Sequence, residues 1–346
     1  MTAARDRRLT STLEHWFGAN ARDLPWRQSP PGERDPYHVL VSEAMLQQTQ
    51  IARVVDRFDD FLAEFPTIEA LAAADEQTVL AQWAGLGYYR RARNLHAAAR
   101  AIVEEHAGTT PRDVATLQEL PGVGRYTAGA IASMAFGQRA PIVDANVRRV
   151  LMRVENQPDA NDAWSWDRAA ALVERAGDPA AFNEALMELG STTCLPRGPR
   201  CSDCPWQRSC RARRAGTAGD IPRPKAAKPK KEIVHAAVLV RDDEGRTLVQ
   251  QRPDSGMWAG MWQAPTIEAP DPPGPGRIRS WLGVRSVRQG ERFSHATTHR
   301  MVHFHVWHAE PGSDAPLVGS WADADRLAAL PLATPHRRIL LGTHAN

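Results

Sequence analysis

Between residues 8 and 190 the apolar positions recur at helical spacing. His38–Leu46, Ile51–Phe65, Gln77–Trp83, Ala92–Glu105 and Ala169–Leu189 carry apolar side chains three and four apart, and strand-like alternation is scarce. The pattern predicts helix after helix. Asp35-Pro36 predicts a helix start, because the acid can accept from open N–H groups while Pro fits the first turn. Asp75, Asp113 and Asp144 are placed to cap others. After residue 231 the pattern changes. Ile233–Val240, a turn at Asp242–Gly245 and Thr247–Gln251 predict a β-hairpin. Met301, His303, His305 and Trp307 alternate with Val302, Phe304 and Val306, as in a strand with two different faces. Between the two regimes Ile221–Lys231 is rich in Pro and Lys, lacks acids, and predicts an extended linker. The expected organisation is mainly α: a helical domain over 1–220, a linker over 221–231 and an α+β domain over 232–346.

Composition sharpens this picture in three places. The 346 residues, 42% hydrophobic, suffice for two cores. No apolar run is long enough to span a bilayer and the N-terminus is polar, so a soluble intracellular protein, not a membrane protein, is expected. Net charge is only +3, which does not by itself announce a nucleic-acid partner. Only four of the 43 basic residues are Lys, at 225, 228, 230 and 231, so everything before residue 225 is lysine-free. All four cysteines fall within 194–210, which points to a metal site in a reducing compartment rather than disulfides. Cys194, Cys201, Cys204 and Cys210 supply four thiolates. That set can hold zinc or an iron–sulfur cluster, and spacing alone does not choose. Arg197, Arg200, Arg208, Arg211, Arg213 and Arg214 surround them, either as a solvated charge run or as a contact to a phosphate backbone.

Candidate chemistry lies in the helical half. In Leu120-Pro121-Gly122-Val123-Gly124-Arg125-Tyr126 the proline ends one helix, and Gly122 and Gly124 permit a tight turn before the next. A helix N-terminus there suits a phosphate, although an ordinary interhelical turn has the same composition. Asp144 is placed as a helix N-cap, and a capping carboxylate is fixed and kept ionised beside any developing cation. Glu43 shares an apolar stripe with Val39 and Leu46. It is either a salt-bridged structural acid or a buried carboxyl whose raised pKa leaves it a proton to donate.

Several stretches together resemble the helix-hairpin-helix DNA glycosylase superfamily, and within it the MutY adenine glycosylases. They are Leu24-Pro25-Trp26-Arg27, Asp35-Pro36-Tyr37, Val41-Ser42-Glu43, Met45–Gln50, Gly85-Leu86-Gly87-Tyr88-Tyr89, the hairpin, Val143–Asn146 and the cysteine loop, in family order. Leu40 and Ala44 stand where that family often has bulkier residues, and Ser29–Arg34 lengthens a loop near the base pocket.

The resemblance implies a monofunctional glycosylase that flips adenine, mispaired with 8-oxoguanine or guanine, out of double-stranded DNA and hydrolyses its glycosidic bond. It implies that Glu43 protonates the base, that Asp144 stabilises the cationic sugar, and that Tyr126 and Asn146 support them. Arg22, Leu24, Trp26, Arg27 and Glu184 would border the adenine pocket, with Gly122 and Gly124 at the DNA backbone. Gln48, Thr49, Leu86 and Tyr88 would enter the duplex beside the oxidised guanine, Tyr89 being the alternative core tyrosine. Phe293-Ser294-His295 would form a loop that reads that base. The cysteine loop would hold a structural [4Fe–4S] cluster, and the C-terminal domain would be Nudix-like. A monomer is expected.

Three rival functions follow from the same residues. A lyase of the endonuclease III type is opposed by Tyr126, which stands where those enzymes carry Lys. A Nudix hydrolase is opposed by the scattered glutamates 244, 268, 291 and 310, which cannot form a metal cluster. A non-catalytic DNA scaffold is opposed by Glu43 and Asp144 occurring together.

Overall fold

The computed structural model describes residues 2–223, 229–312 and 318–342; residues 224–228, in the middle of the expected linker, lie outside the described residues. The chain divides into two compact units: Met1–Ala74 with Arg90–Ala226, and Asp75–Tyr89 with Ala227–Asn346.

The first unit is helical: α1 Ala3–Asn20, α2 Pro36–Leu46, α3 Ile51–Glu64, α4 Ile68–Ala73, then α6 Arg90–His106, α7 Val114–Glu119, α8 Arg125–Met134, α9 Ala145–Glu155, α10 Asp162–Val173, α11 Pro179–Thr192 and α12 Arg211–Arg214. Helix α5, Glu76–Gln82, belongs to the second unit. The predicted starts are real: Asp35 accepts from the Tyr37 and His38 amides, Asp113 from Thr116 and Asp144 from Val147. The periodic run Ala169–Leu189 is two helices rather than one. Gly177-Asp178-Pro179 interrupts it, because Asp178 caps a new helix and Pro179 takes its first position. Helices α1, α9, α10 and α11 close over Leu13, Val147, Leu151, Leu172, Phe182 and Leu186, all at most 0% exposed. Gly190 permits the closest approach in this packing: a Cβ there would lie 2.8 Å from the Asn146 Cβ.

The second unit is built on a four-stranded sheet of order β4-β1-β6-β5, formed by β1 Lys231–Val240, β4 Thr266–Ala269, β5 Ser286–Ala296 and β6 Arg300–Glu310. A smaller sheet pairs β2 Thr247–Gln251 with β3 Trp262–Gln263 and β7 Ser320–Ala322. The expected hairpin of β1 and β2 is therefore corrected. The turn forms, with the Asp242 side chain accepting from the Glu244 and Arg246 amides. The strands then part, because both edges of β1 are taken by β4 and β6. Helices α14 Ala324–Ala329 and α15 Thr334–Leu341 supply Leu327, Ile339 and Leu340 to one face of the large sheet. Helix α13 Pro275–Leu282 supplies Ile278 and Leu282 to the other.

Inside the first of these layers three imidazoles surround one indole. The rings of His235, His295 and His336 lie 5.8–6.0 Å from that of Trp258. Neither ring nitrogen of His336, which is fully buried, has a hydrogen-bond partner among the described residues. His235 approaches Glu268 at 3.5 Å, but desolvation outweighs that attraction and pulls its pKa down to about 4. Burial drives His336 well below its ordinary value and lowers His295 too. The approach to Glu268 is thus a contact of a neutral ring.

A folded state that holds imidazoles neutral loses stability when they are protonated. Stability is full above the unfolded value of about 6.5 and falls as the pH drops through 6.5 toward 4. Each such histidine steepens the fall by up to about 1.4 kcal/mol per pH unit. Thermal unfolding followed by near-ultraviolet circular dichroism from pH 7 to pH 4 should show this loss. His336→Leu should flatten it, and an unchanged slope would show that the buried ring is not responsible.

Candidate active site

Glu43 sits two turns into α2, a helix buried on most of its surface from Tyr37 to Met45. Pro36 and the Asp35 cap set where this helix begins, and Arg91 on α6 closes its far end by donating to the Ala44 and Met45 carbonyls at 2.8 and 2.7 Å. Glu43 is 4% exposed. Burial raises its carboxyl to about 7, and the charges of Asp144 and Glu184 push the same way. The hydroxyl of Tyr126, at the start of α8, favours the ionised form, as does the charge of Arg27. Burial and the neighbouring carboxylates push Tyr126 itself far above its ordinary value, so it stays a neutral hydroxyl. Among the described residues no ion pair reaches Glu43, which decides against the structural salt bridge.

Asp144 caps α9 at its N-terminus. One carboxylate oxygen accepts from the Val147 amide at 2.7 Å and the other from the Asn146 side chain at 2.9 Å. The Asn146 carbonyl in turn accepts from Arg149 at 3.0 Å, and Arg149 donates onward to the Gly190 and Cys194 carbonyls at 2.7 and 2.9 Å. Arg149 was missed from sequence, where an arginine one turn into an amphipathic helix reads as surface.

Glu184 and Glu188 lie one turn apart on α11, both nearly fully buried. Arg27 bridges them at 2.9 and 3.0 Å. Arg34 takes Glu184 through two nitrogens at 3.0 and 3.1 Å, and Arg22 takes Glu188 and Ser191. The structure thus brings together the expected Arg22, Arg27 and Glu184 and adds Arg34 and Glu188. The i, i+4 spacing of two acids in an apolar stretch was the available signal for Glu188. Arg34 closes the Ser29–Arg34 segment that lengthens this loop. Leu24 is buried, and Trp26 stands edge-on to Phe58 at 5.4 Å.

In the turn between α7 and α8 Gly122 adopts φ +74°, and a Cβ there would lie 2.4 Å from the Asn94 Cβ, so only glycine fits. Gly124 has an ordinary φ and open space where a Cβ would point. No side chain caps α8, which leaves its first amides facing outward. Gln48 is exposed with φ +58°, and Thr49 accepts from Arg91 at 3.0 Å.

The four cysteines rim one hollow together with Thr193, Pro199, Gln207 and Ala218. Backbone amides of Trp206 and of Ala212 and Arg213 point at the sulfurs of Cys204 and Cys210, and Arg153 donates to Cys194 Sγ at 3.4 Å. Burial pushes the Cys204 thiol up to about 12 and Cys210 in the same direction, so a cationic group is what would hold them as thiolates. Four sulfurs around one hollow are a donor set that fits an iron–sulfur cluster. Of the surrounding arginines, Arg211 pairs with Glu155 at 3.2 Å while Arg200 and Arg213 donate to carbonyls; Arg197, Arg208 and Arg214 are exposed.

In the second unit Tyr88 is 47% exposed with φ +50°, its hydroxyl 2.7 Å from Thr298 Oγ1. Tyr89 is the buried one of the pair, and Leu86 is buried with it. The expectation of a loop at Phe293-Ser294-His295 is corrected, since all three lie in β5, opposite Phe304, His303 and Val302 of β6. Alternation along a strand then separates them. Phe293 stacks on Phe304 at 4.9 Å and His295 faces Trp258, while Ser294 turns to the opposite face and is exposed there. The long antiparallel pairing of β5 with β6 is what keeps this segment from looping out.

Residues 41–171 match the HhH-GPD superfamily base excision DNA repair protein family, and residues 236–342 match the NUDIX domain family. The human adenine DNA glycosylase is 40% identical over 74% of this chain and 57% of its own length, so the chain spans little more than half of that relative. The adenine DNA glycosylase of Mycolicibacterium smegmatis is 45% identical over 61% of this chain and 72% of its own length. Among solved structures a thermostable thymine-DNA glycosylase superposes with TM-score 0.56 at 30% identity, over 62% of this chain and all of that one. The chain belongs to the MutY-type adenine DNA glycosylase family, with a helix-hairpin-helix glycosylase domain followed by a Nudix-like domain.

Proposed function

We propose that this protein is a monofunctional base excision repair glycosylase that releases adenine mispaired with 8-oxoguanine, and with guanine, in double-stranded DNA. One observation carries the reading. Glu43 is a buried carboxyl that no ion pair reaches among the described residues, its pKa raised to about 7, with the capped Asp144 carboxylate near enough to raise it and Tyr126 near enough to oppose that. Two carboxyls with opposed environments are the equipment of glycoside hydrolysis, one holding a proton and one a charge. The names of the relatives supply the base.

Adenine is flipped from the stack, because its glycosidic bond is out of reach inside a duplex. Glu43 gives its proton to N7 of the base, which makes adenine a better leaving group. Asp144, held by the Val147 amide and the Asn146 side chain, stabilises the cationic sugar. Glu43, now ionised, then takes a proton from the attacking water. Arg22, Leu24, Trp26, Arg27 and Glu184 border the adenine. Gly122 and Gly124 present the uncapped amides of α8 to a phosphate. Gln48, Thr49 and Tyr88 work on the side of the oxidised guanine, and so does Ser294, the exposed residue of the 293–295 strand segment.

Tyr126 cannot form a Schiff base, and no lysine precedes residue 225, so the chain leaves the DNA backbone intact. Cys194, Cys201, Cys204 and Cys210 would hold a [4Fe–4S] cluster, which when bound supplies four covalent ties across this loop. Among the described residues no helix is long and apolar enough to cross a membrane. The partner is intracellular DNA and the protein acts as a monomer.

Glu43→Gln should retain duplex binding and lose adenine release by about 10²- to 10⁴-fold in a single-turnover assay, and retained release would remove Glu43 from the chemistry. In the wild type the rate should hold below pH 7 and fall above it as Glu43 loses its proton; a rate that rises through this range would exclude it as the acid. Strand breaks should appear only after alkali, whereas breaks without alkali would make the protein a lyase. Purified protein should carry iron and visible absorption that Cys201→Ser diminishes, and a colourless zinc-loaded wild type would refute the cluster.

A further inference from the structure

On the face of the four-stranded sheet that carries α13, beyond the residues that helix covers, three side chains from three strands form a line. Ser294 Oγ on β5 stands 2.8 Å from His303 Nδ1 on β6, and Nε2 of the same ring is hydrogen-bonded to Glu232 Oε2 on β1. The register holds them there: Ser294 pairs directly with His303, and His303 pairs with Val234, two residues along β1 from Glu232. All three side chains are accessible from solvent and lie outside the packed layers.

The chemistry of the line sets its polarity. A carboxylate only accepts, so the ring nitrogen facing Glu232 carries the proton. In the neutral imidazole the other nitrogen, Nδ1, is then a bare acceptor, and the Ser294 hydroxyl must spend its single proton on it. The serine oxygen is left with lone pairs and no proton for a third group. Guanine presents a bare acceptor at N7 in the major groove. Oxidation to the 8-oxo form puts a proton on N7 and turns that position into a donor. A hydroxyl restricted to accepting bonds the N7–H of 8-oxoguanine and faces the N7 of guanine with two lone-pair groups opposed.

We propose that His303 and Glu232 are positioning residues that make Ser294 an acceptor and thereby set the preference for 8-oxoguanine over guanine. This deepens the proposed function and rests on its assignment of Ser294 to the oxidised base. Removing Glu232 releases the tautomer, and removing His303 frees the hydroxyl to donate to guanine.

The test compares single-turnover adenine release opposite 8-oxoguanine and opposite guanine in the full-length protein, with Ser294→Ala, His303→Leu, Glu232→Ala and the Ser294→Ala/His303→Leu pair. Each single change should lower the 8-oxoguanine to guanine rate ratio by about five- to tenfold, the worth of one good hydrogen bond. The double variant should fall no further than Ser294→Ala, because His303 acts through the serine. Nitrogen-15 NMR of the His303 ring should show Nε2 protonated and Nδ1 bare in the wild type, and Glu232→Ala should lose that preference. If Ser294→Ala lowers the ratio while His303→Leu and Glu232→Ala leave it intact, the relay is wrong and the lesion contact survives. Additive losses in the double variant, or an Nδ1-protonated ring in the wild type, overturn the relay as well. If adenine is released but Ser294→Ala leaves the ratio unchanged, the lesion contact falls and the relay with it.

Discussion

The helical unit is organised around one constraint, a carboxyl group kept in the interior where no ion pair reaches it among the described residues. Moving Glu43 from 4.5 to about 7 corresponds to about 3 kcal/mol held against its ionisation. Three buried glutamates meet this problem differently. Glu184 and Glu188 are given three arginines between them, so their charges are satisfied where they stand. Glu43 receives a phenol hydroxyl and the residual field of two other acids. Distributing the cations in this way leaves Glu43 a proton near neutral pH, which is what an acid working there requires.

Helix α9 carries that arrangement to the cysteine loop. Its cap, Asp144, is held by Asn146, Asn146 by Arg149, and Arg149 reaches the Cys194 carbonyl. One turn on, Arg153 donates to the Cys194 sulfur and to the Leu195 and Pro196 carbonyls. Buried guanidiniums are costly, and these two are retained because backbone oxygens absorb their donors. The anion proposed to stabilise the sugar and the loop proposed to hold the cluster are therefore parts of one hydrogen-bonded chain.

The second unit solves a different problem. Among the described residues of its Nudix-like unit no three acids, histidines or cysteines gather where they could hold a metal ion, and the inner layer is filled by aromatic and imidazole rings held neutral by burial. Strand alternation then sorts the polar residues of β5 and β6. His295 goes inward with Phe293, while Ser294 and His303 go outward to meet Glu232.

Much of this was legible in the chain because its signals are local. Helix caps depend on residues two or three apart, so Asp35, Asp113 and Asp144 were identifiable from their neighbours. Gly122, the four grouped cysteines and the acid in an apolar stripe at Glu43 likewise announce themselves within a few positions. What the chain did not disclose depends on partners distant in sequence. Arg34 and Glu188 acquire meaning only when α11 is brought against the loop before α2, and Arg149 only when α9 meets the cysteine loop. The separation of β1 from β2, against their hairpin pattern, was decided by β4 and β6 occupying both edges of β1. The placing of Phe293-Ser294-His295 in a strand was decided by its ladder with β6. Sequence determines which groups can be capped, turned or buried; tertiary structure determines which of them share a charge, because electrostatics and strand pairing act through space and take no account of separation along the chain.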